Sequence, residues 1–211
     1  MKTYVPTIAE EVANSISHGV MSLLMLLMIP FAAVWGYNQG GALDSVGVST
    51  FAISIFLMFL FSTLYHSMSP TSKHKEIFHI LDHIFIYVAI AGSYTPIALS
   101  VIGGWQGWLI VALQWLMVIF GVFYKSLSRR SIPALSLTIY LVMGWTLVLF
   151  FPLFLAHAST PLLIFIGIGG LFYTVGAYFY AKKGFLHHHL VWHLFINLAV
   201  ISHFIAIVFY I

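Results

Sequence analysis

Hydrophobic residues run through this chain in long blocks, broken by short polar stretches. The pattern predicts seven apolar segments, at roughly 17–38, 46–66, 79–100, 106–124, 133–155, 161–181 and 189–211. Each approaches the roughly 20 residues that a helix needs to cross the hydrocarbon core of a bilayer. Turn-forming residues separate them: Gly40-Gly41, Ser69-Pro70, Gly103-Gly104, Ser131-Ile132-Pro133, Ser159-Thr160-Pro161 and Lys183-Gly184. Pro133 and Pro161 stand where helices begin, in first-turn positions that need no amide hydrogen. Pro30, Pro96 and Pro152 fall inside or near the ends of segments and are expected to bend them.

Composition supports the same architecture. The chain has 211 residues, 62% of them hydrophobic and 6% charged, with a mean hydropathy of +1.04. Soluble domains are far more polar. No polar block is long enough for a water-soluble unit. The expected organisation is a short cytoplasmic segment, 1–16, followed by a single all-α membrane domain, 17–211, built as a seven-helix bundle. Residues 1–16 contain Glu10, Glu11 and one lysine, and the first apolar run exceeds a signal-peptide core, so it reads as a retained span. Cysteine is absent. That excludes disulfides and thiolate metal sites, and any zinc must be held by His and carboxylate.

The charges then orient the bundle. Lys2 precedes the first segment. Lys73 and Lys75 follow the second, Lys125, Arg129 and Arg130 the fourth, and Lys182 and Lys183 the sixth. With seven crossings, all four regions face one side, and the positive-inside rule makes that side cytoplasmic. The N-terminus is therefore expected inside and the C-terminus outside. The net charge of +3 reflects this bias and gives no sign of a nucleic-acid partner. G-protein-coupled receptors run the opposite way. A rhodopsin-type pump needs a lysine in its last helix, and residues 189–211 contain none.

Candidate chemistry gathers at one depth. His189 and His193 are four residues apart, which on a helix places the rings ~40° apart and ~6 Å along the axis, a bidentate metal-ligand spacing. Ser62 and His66 end the second segment on the same side, and Asp82 lies about one turn into the third. Three neutral imidazoles with an open fourth position suit zinc. Such an ion lowers the pKa of bound water towards 7, and a nearby carboxylate orients that water or takes its proton. Asp82 is the carboxylate placed for this, with Ser62 one turn from His66. Each residue also has a plainer reading. Ser62 can bond back to the carbonyl of Met58, His66 can sit at the interface, and Asp82 can pair with His79 or cap its helix.

The remaining histidines divide. His18 is expected to join a network with Asn14, with a supporting role beside the site as the other reading. His74 and His79 border a basic loop and read as solvated. His83 projects away from Asp82, while His187 and His188 fall in a loop. His157 lies in an outer loop, and His203 reads as a hydrogen-bonded group facing the interior. Trp35, Tyr37, Trp105, Trp108, Tyr124 and Tyr178 cluster near segment ends as an aromatic belt. Gly167, Gly169 and Gly170 read as a close-packing face.

At these residues the chain resembles the hemolysin III family of bacterial membrane proteins, which groups with the progestin and adipoQ receptors, including the adiponectin receptors, and more distantly with alkaline ceramidases. The resemblance spans nearly the whole chain. It is carried by Glu11-Val-Ala-Asn14-Ser-Ile-Ser-His18-Gly19, Ser62-Thr-Leu-Tyr-His66, Leu81-Asp82-His83, His189-Leu-Val-Trp-His193 and Ser202-His203-Phe204. It implies a seven-helix bundle with the N-terminus inside, in the plasma (bacterial inner) membrane. It further implies Zn2+ bound by His66, His189 and His193, with Asp82 acting through the metal-bound water and Ser62 close by. The ceramidase relatives hydrolyse a lipid amide. Three functions follow as expectations: a zinc-dependent hydrolase of lipid amide or ester bonds, with a membrane lipid as substrate or ligand; a non-catalytic sensor of membrane state with structural zinc; and a pore-forming or cytolytic protein. Scarce charge inside the segments argues against a wide aqueous pore.

Overall fold

The computed structural model describes residues 6–127, 132–182 and 185–211. Lys2, Arg129, Arg130, Ser131, Lys183 and Gly184, all used in the sequence reading, lie outside the described residues. Among the described residues the chain is helical with no strand. In order the elements are α1 (Ile8–Ser67), α2 (Lys75–Pro96), a π-helical turn (Ile97–Ile102), α3 (Gly104–Leu127), α4 (Pro133–Trp145), a 3-10 turn (Thr146–Phe150), α5 (Phe151–His157), α6 (Thr160–Ala181) and α7 (His188–Tyr210).

Six helical stretches among the described residues are long and apolar enough to cross a membrane. This differs from the seven separate segments expected, because 17–38 and 46–66 lie within one 60-residue element, α1. That element is not straight. Gly40 (φ −138°, ψ 16°) and Gly41 (φ 78°, ψ −153°) leave helical geometry, and the positive φ at Gly41 is one that side chains oppose and glycine adopts freely. The two arms, 8–39 and 42–67, fold back on each other. Ser45 Oγ donates to the carbonyl of Ala33 at 2.9 Å, while Ser15 Oγ meets Ser67 Oγ at 2.7 Å near the far ends.

Local chemistry sets the other ends. Thr7 starts α1 with a capping box: its hydroxyl accepts from the Glu10 amide at 3.3 Å, and its own amide donates to Glu10 Oε2 at 2.9 Å. Each contact satisfies an amide that the first helical turn cannot. The helix thus begins well before residue 17, and residues 8–16 belong to it. Ser159 caps α6 through the Leu162 amide, with Pro161 in the first turn. Pro96 ends α2 where the π-turn starts, and Pro152 follows the 3-10 turn that interrupts the fifth predicted segment. At that interruption Tyr94 Oη accepts from the Leu147 amide at 2.8 Å and donates to the Gly144 carbonyl at 2.7 Å, bridging the broken ladder.

Phe51, Ile55 and Phe59 of α1 and Val200 and Ile207 of α7 form a fully buried core. Large apolar residues elsewhere, such as Leu23, Leu27, Leu116, Phe120 and Leu171, face outward. An apolar exterior is expected of helices in lipid, where the backbone is satisfied within each helix. Helices approach most closely at small residues: Gly121 lies against the Tyr87 ring, and a Cβ on Gly169 would overlap the ring of His203.

Candidate metal centre

The metal-ligand candidates come from two elements. The second arm of α1 ends with Ser62 and His66, one turn apart, and α7 opens with His189 and His193, also one turn apart. Packing of α1 against α7 brings the three imidazoles together. Ring centroids lie 5.0 Å apart for His66 and His189, 5.1 Å for His66 and His193, and 4.7 Å for His189 and His193. One ring nitrogen of each falls within 4.8 Å of the others. His66 and His193 are buried, and His189 is partly so.

Hydrogen bonds decide which nitrogens are free. His66 Nδ1 bonds Glu11 Oε2 at 2.5 Å, while its Nε2 is buried without a protein partner. His193 Nδ1 lies 3.3 Å from the Asn14 carbonyl and 3.1 Å from Ser17 Oγ. A carbonyl only accepts, so Nδ1 carries the hydrogen and Nε2 the lone pair. Two rings thus hold the tautomer that offers Nε2 to a metal, the state in which outer partners usually fix ligating histidines. An orphaned buried nitrogen beside two more imidazoles is what a zinc-type ion fits.

Asp82 and Ser62 stand beside this cluster. Both line a cavity of about 490 Å3 that His18, His189 and His193 also line. The Ser62 side chain faces the Asp82 carboxyl, and its hydroxyl meets His18 Nδ1 at 2.8 Å. The structure therefore brings all five singled-out residues, Ser62, His66, Asp82, His189 and His193, to one end of the bundle. Ser62 bonds across to the other arm of α1, where a back-bond to Met58 was the plainer expectation.

Several residues stand elsewhere than the sequence reading put them. His18 was expected in a network with Asn14. Instead its ring stacks on His193 at 3.5 Å with an interplanar angle of 6°, its Nε2 is buried without a partner, and it belongs to the site. Glu11 was read only as part of the N-terminal segment and of the resemblance, yet it bonds His66 and receives Lys75 Nζ at 3.0 Å. His83, set aside, lines the cavity and lies 3.8 Å from Asp82. His188 is not in a loop but opens α7. His203 faces the interior as expected, bonded to the Ile166 carbonyl at 3.3 Å. Glu11, whose role the sequence reading missed, had a signal: Glu11, Asn14 and His18 recur at i, i+3 and i+7, one face of a helix.

Away from the histidines the cavity is walled by apolar groups, among them Ile97, Val148, Phe151, Ile166 and Ile196. Trp145, Val148, Phe151 and Leu155 line it and are each about half exposed. These residues form the side of the cavity built by α4, the 3-10 turn and α5.

A family described as Haemolysin-III related matches residues 7–204. Among curated proteins the chain is 36% identical to the "Hemolysin-3 homolog" of Bacillus subtilis (strain 168) over 204 residues, covering 97% of this chain and 95% of that one. It is 34% identical to "Hemolysin-3" of Bacillus cereus over 208 residues, covering 97% and 93%. A more distant relative is the human "Monocyte to macrophage differentiation factor", 28% identical over 213 residues, covering 97% of this chain and 85% of that protein.

Proposed function

This chain belongs to the Haemolysin-III related family and is a multi-pass integral membrane protein, and from that premise we propose that it is a zinc-dependent hydrolase of lipid amide or ester bonds. The observation that carries the proposal is the cavity. A chamber walled largely by apolar groups, with the half-exposed Trp145, Val148, Phe151 and Leu155 on the side this reading takes as the way in from lipid, is lined at its polar end by His18, His189, His193, Asp82 and Ser62, and His66 closes the cluster with His189 and His193. The same reading takes the two arms of α1 as separate crossings, giving seven. It places the N-terminus and the metal centre on the cytoplasmic side, where Lys75, Lys125 and Lys182 lie.

His66, His189 and His193 would hold the ion. When bound, it supplies Lewis acidity and lowers the pKa of a coordinated water. The chain's own groups do the rest. Asp82, beside the cluster, takes the proton of the attacking water and returns it to the leaving group. The Ser62 hydroxyl donates to the carbonyl oxygen of the scissile bond, and His18 orients that hydroxyl. The apolar wall holds an acyl chain and keeps bulk water away.

The test is metal analysis of protein purified into lipid nanodiscs, beside turnover of ceramide and phospholipid analogues by wild type and His189→Ala. Wild type should carry one zinc and cleave at least one analogue class, and the variant should do neither. Stoichiometric zinc with every analogue intact would leave the sensor reading, in which zinc ties the ends of α1 and α7 together.

A further inference from the structure

We propose that the acidic turn Glu10-Glu11 is the outer frame of the metal centre, with Glu11 the positioning residue that fixes His66. The inference rests on the metal reading of the three histidines. Glu11 touches none of the space between the rings; it acts from behind one of them. Its Oε2 accepts the Nδ1 hydrogen of His66 at 2.5 Å, which leaves the His66 lone pair on the buried, unpartnered Nε2. Its Oε1 accepts from Lys75 Nζ at 3.0 Å, and that ammonium also donates to the Met68 carbonyl at 3.0 Å. The carboxylate is thus held from both sides, by the ligand and by a cation tied to the turn after α1.

Glu10 does the corresponding work at the start of α7. Its Oε1 accepts the His187 amide at 3.0 Å, and its Oε2 accepts from Thr7. His187 has φ 60° and is the one non-glycine residue at positive φ among those described, a conformation that a side chain opposes. It stands two residues before His189. A single buried carboxylate, 3% exposed, therefore closes the first turn of α1 and pins the strained residue that aims α7. A merely solvated acidic turn would leave its carboxylates in water. Asn14, one turn further along α1, takes the Nδ1 hydrogen of His193. The first turns of α1 thus anchor both ligand-bearing helices while supplying no ligand themselves.

A carboxylate behind a ligating imidazole sets its tautomer and raises its basicity, and removing such a partner typically weakens metal binding about 10–100-fold. The experiment uses full-length protein in nanodiscs, titrated with Zn2+ against a chelator and with Co2+ followed by visible absorption. Glu11→Gln, which keeps the shape and loses the charge, should weaken Zn2+ about 10–100-fold and shift the Co2+ bands. Glu11→Asp should recover part of the affinity and the wild-type bands, a rescue that a purely structural role would not give. Wild-type affinity and spectrum in Glu11→Gln would overturn the inference, as would equal losses in Gln and Asp. Failure of the metal reading looks different: wild type itself would bind no ion, or His189→Ala would bind as tightly as wild type.

Discussion

The two sides of the cavity are built by opposite rules. On the side of α1 and α7, polar side chains bond between the two arms of α1 and from α1 to α7: Glu11 to His66, Ser62 to His18, Ser17 to His193, and Asn197 Nδ2 to the Ser17 carbonyl at 3.2 Å. On the side of α4, α5 and α6, a helix is interrupted at 146–150, and Gly144, Gly167 and Gly170 meet nothing where a side chain would begin. The first side can hold groups in fixed relation, as metal ligation and proton transfer demand. The second offers room and, on the proposed reading, a way in from lipid. Reactive positions should therefore tolerate no change, and wall positions should tolerate change at a cost in lipid binding alone.

The largest effect should come from the rigid side. His66→Ala removes one of the three proposed ligands, so bound zinc should fall to background by elemental analysis, and the proposed lipid hydrolysis with it. Asp82→Asn should keep the metal and lower turnover about 10²–10⁴-fold, the usual contribution of a positioned acid–base group. Zinc loss in Asp82→Asn would mean that the carboxylate holds the ion, which would redraw the line between ligand and base.

The wall should answer more weakly and in a different quantity. A Cβ on Gly170 meets open space, and the residue lines the cavity. Gly170→Leu should therefore leave zinc content unchanged and fill part of the chamber. The affinity of a long-chain lipid analogue should fall about tenfold, equivalent to about 1.4 kcal/mol, while short-chain analogues bind as before. A uniform loss across chain lengths would show that this wall does not contact the acyl group.

How much of this was legible in the sequence follows the same division. Helices were legible because unbroken hydropathy over ~20 residues has few other meanings in water or lipid. His189 and His193 were legible from spacing, and His66, Ser62 and Asp82 from shared depth. Glu11 was missed because the first helix was started at residue 17, and His18, weighed for a supporting role, was set second to a network with Asn14 because nothing in the spacing shows its stacking on His193. With the capping box of Thr7 and Glu10 as its start, Glu11 joins the face of Asn14 and His18, and the acidic pair ceases to be a solvated tail. Pro96 and Pro152 marked where ladders fail, but the π-turn and the 3-10 turn depend on neighbours such as Tyr94, whose hydroxyl a sequence cannot aim. The fold-back at Gly40-Gly41 was legible as a glycine turn between two apolar segments. The cavity was not legible at all, being a sum of absences between helices.

The smallest effect is also the sharpest test of the contrast, because it compares two glycines two residues apart on α6. Gly169 packs on α7, where an added Cβ would overlap the His203 ring and come within 3.2 Å of the Ala199 carbonyl. His203 cannot turn away cheaply, since its Nε2 bonds the Ile166 carbonyl and its ring lies edge-on to Tyr173 at 5.3 Å. Gly169→Ala should therefore cost about 1–3 kcal/mol, the usual penalty for overpacking a tight contact, and lower the melting temperature in detergent. At Gly167 the added methyl meets no atom within 4 Å. Gly167→Ala has no steric cost to offset the better helix propensity of alanine, a gain of up to about 1 kcal/mol, so its melting temperature should hold or rise. Zinc affinity should be unchanged in both, because the glycines touch neither His66, His189 and His193 nor Glu11. Equal destabilisation by both substitutions would mean that α6 packs as tightly on its cavity face as on α7, and the open wall would then have no basis.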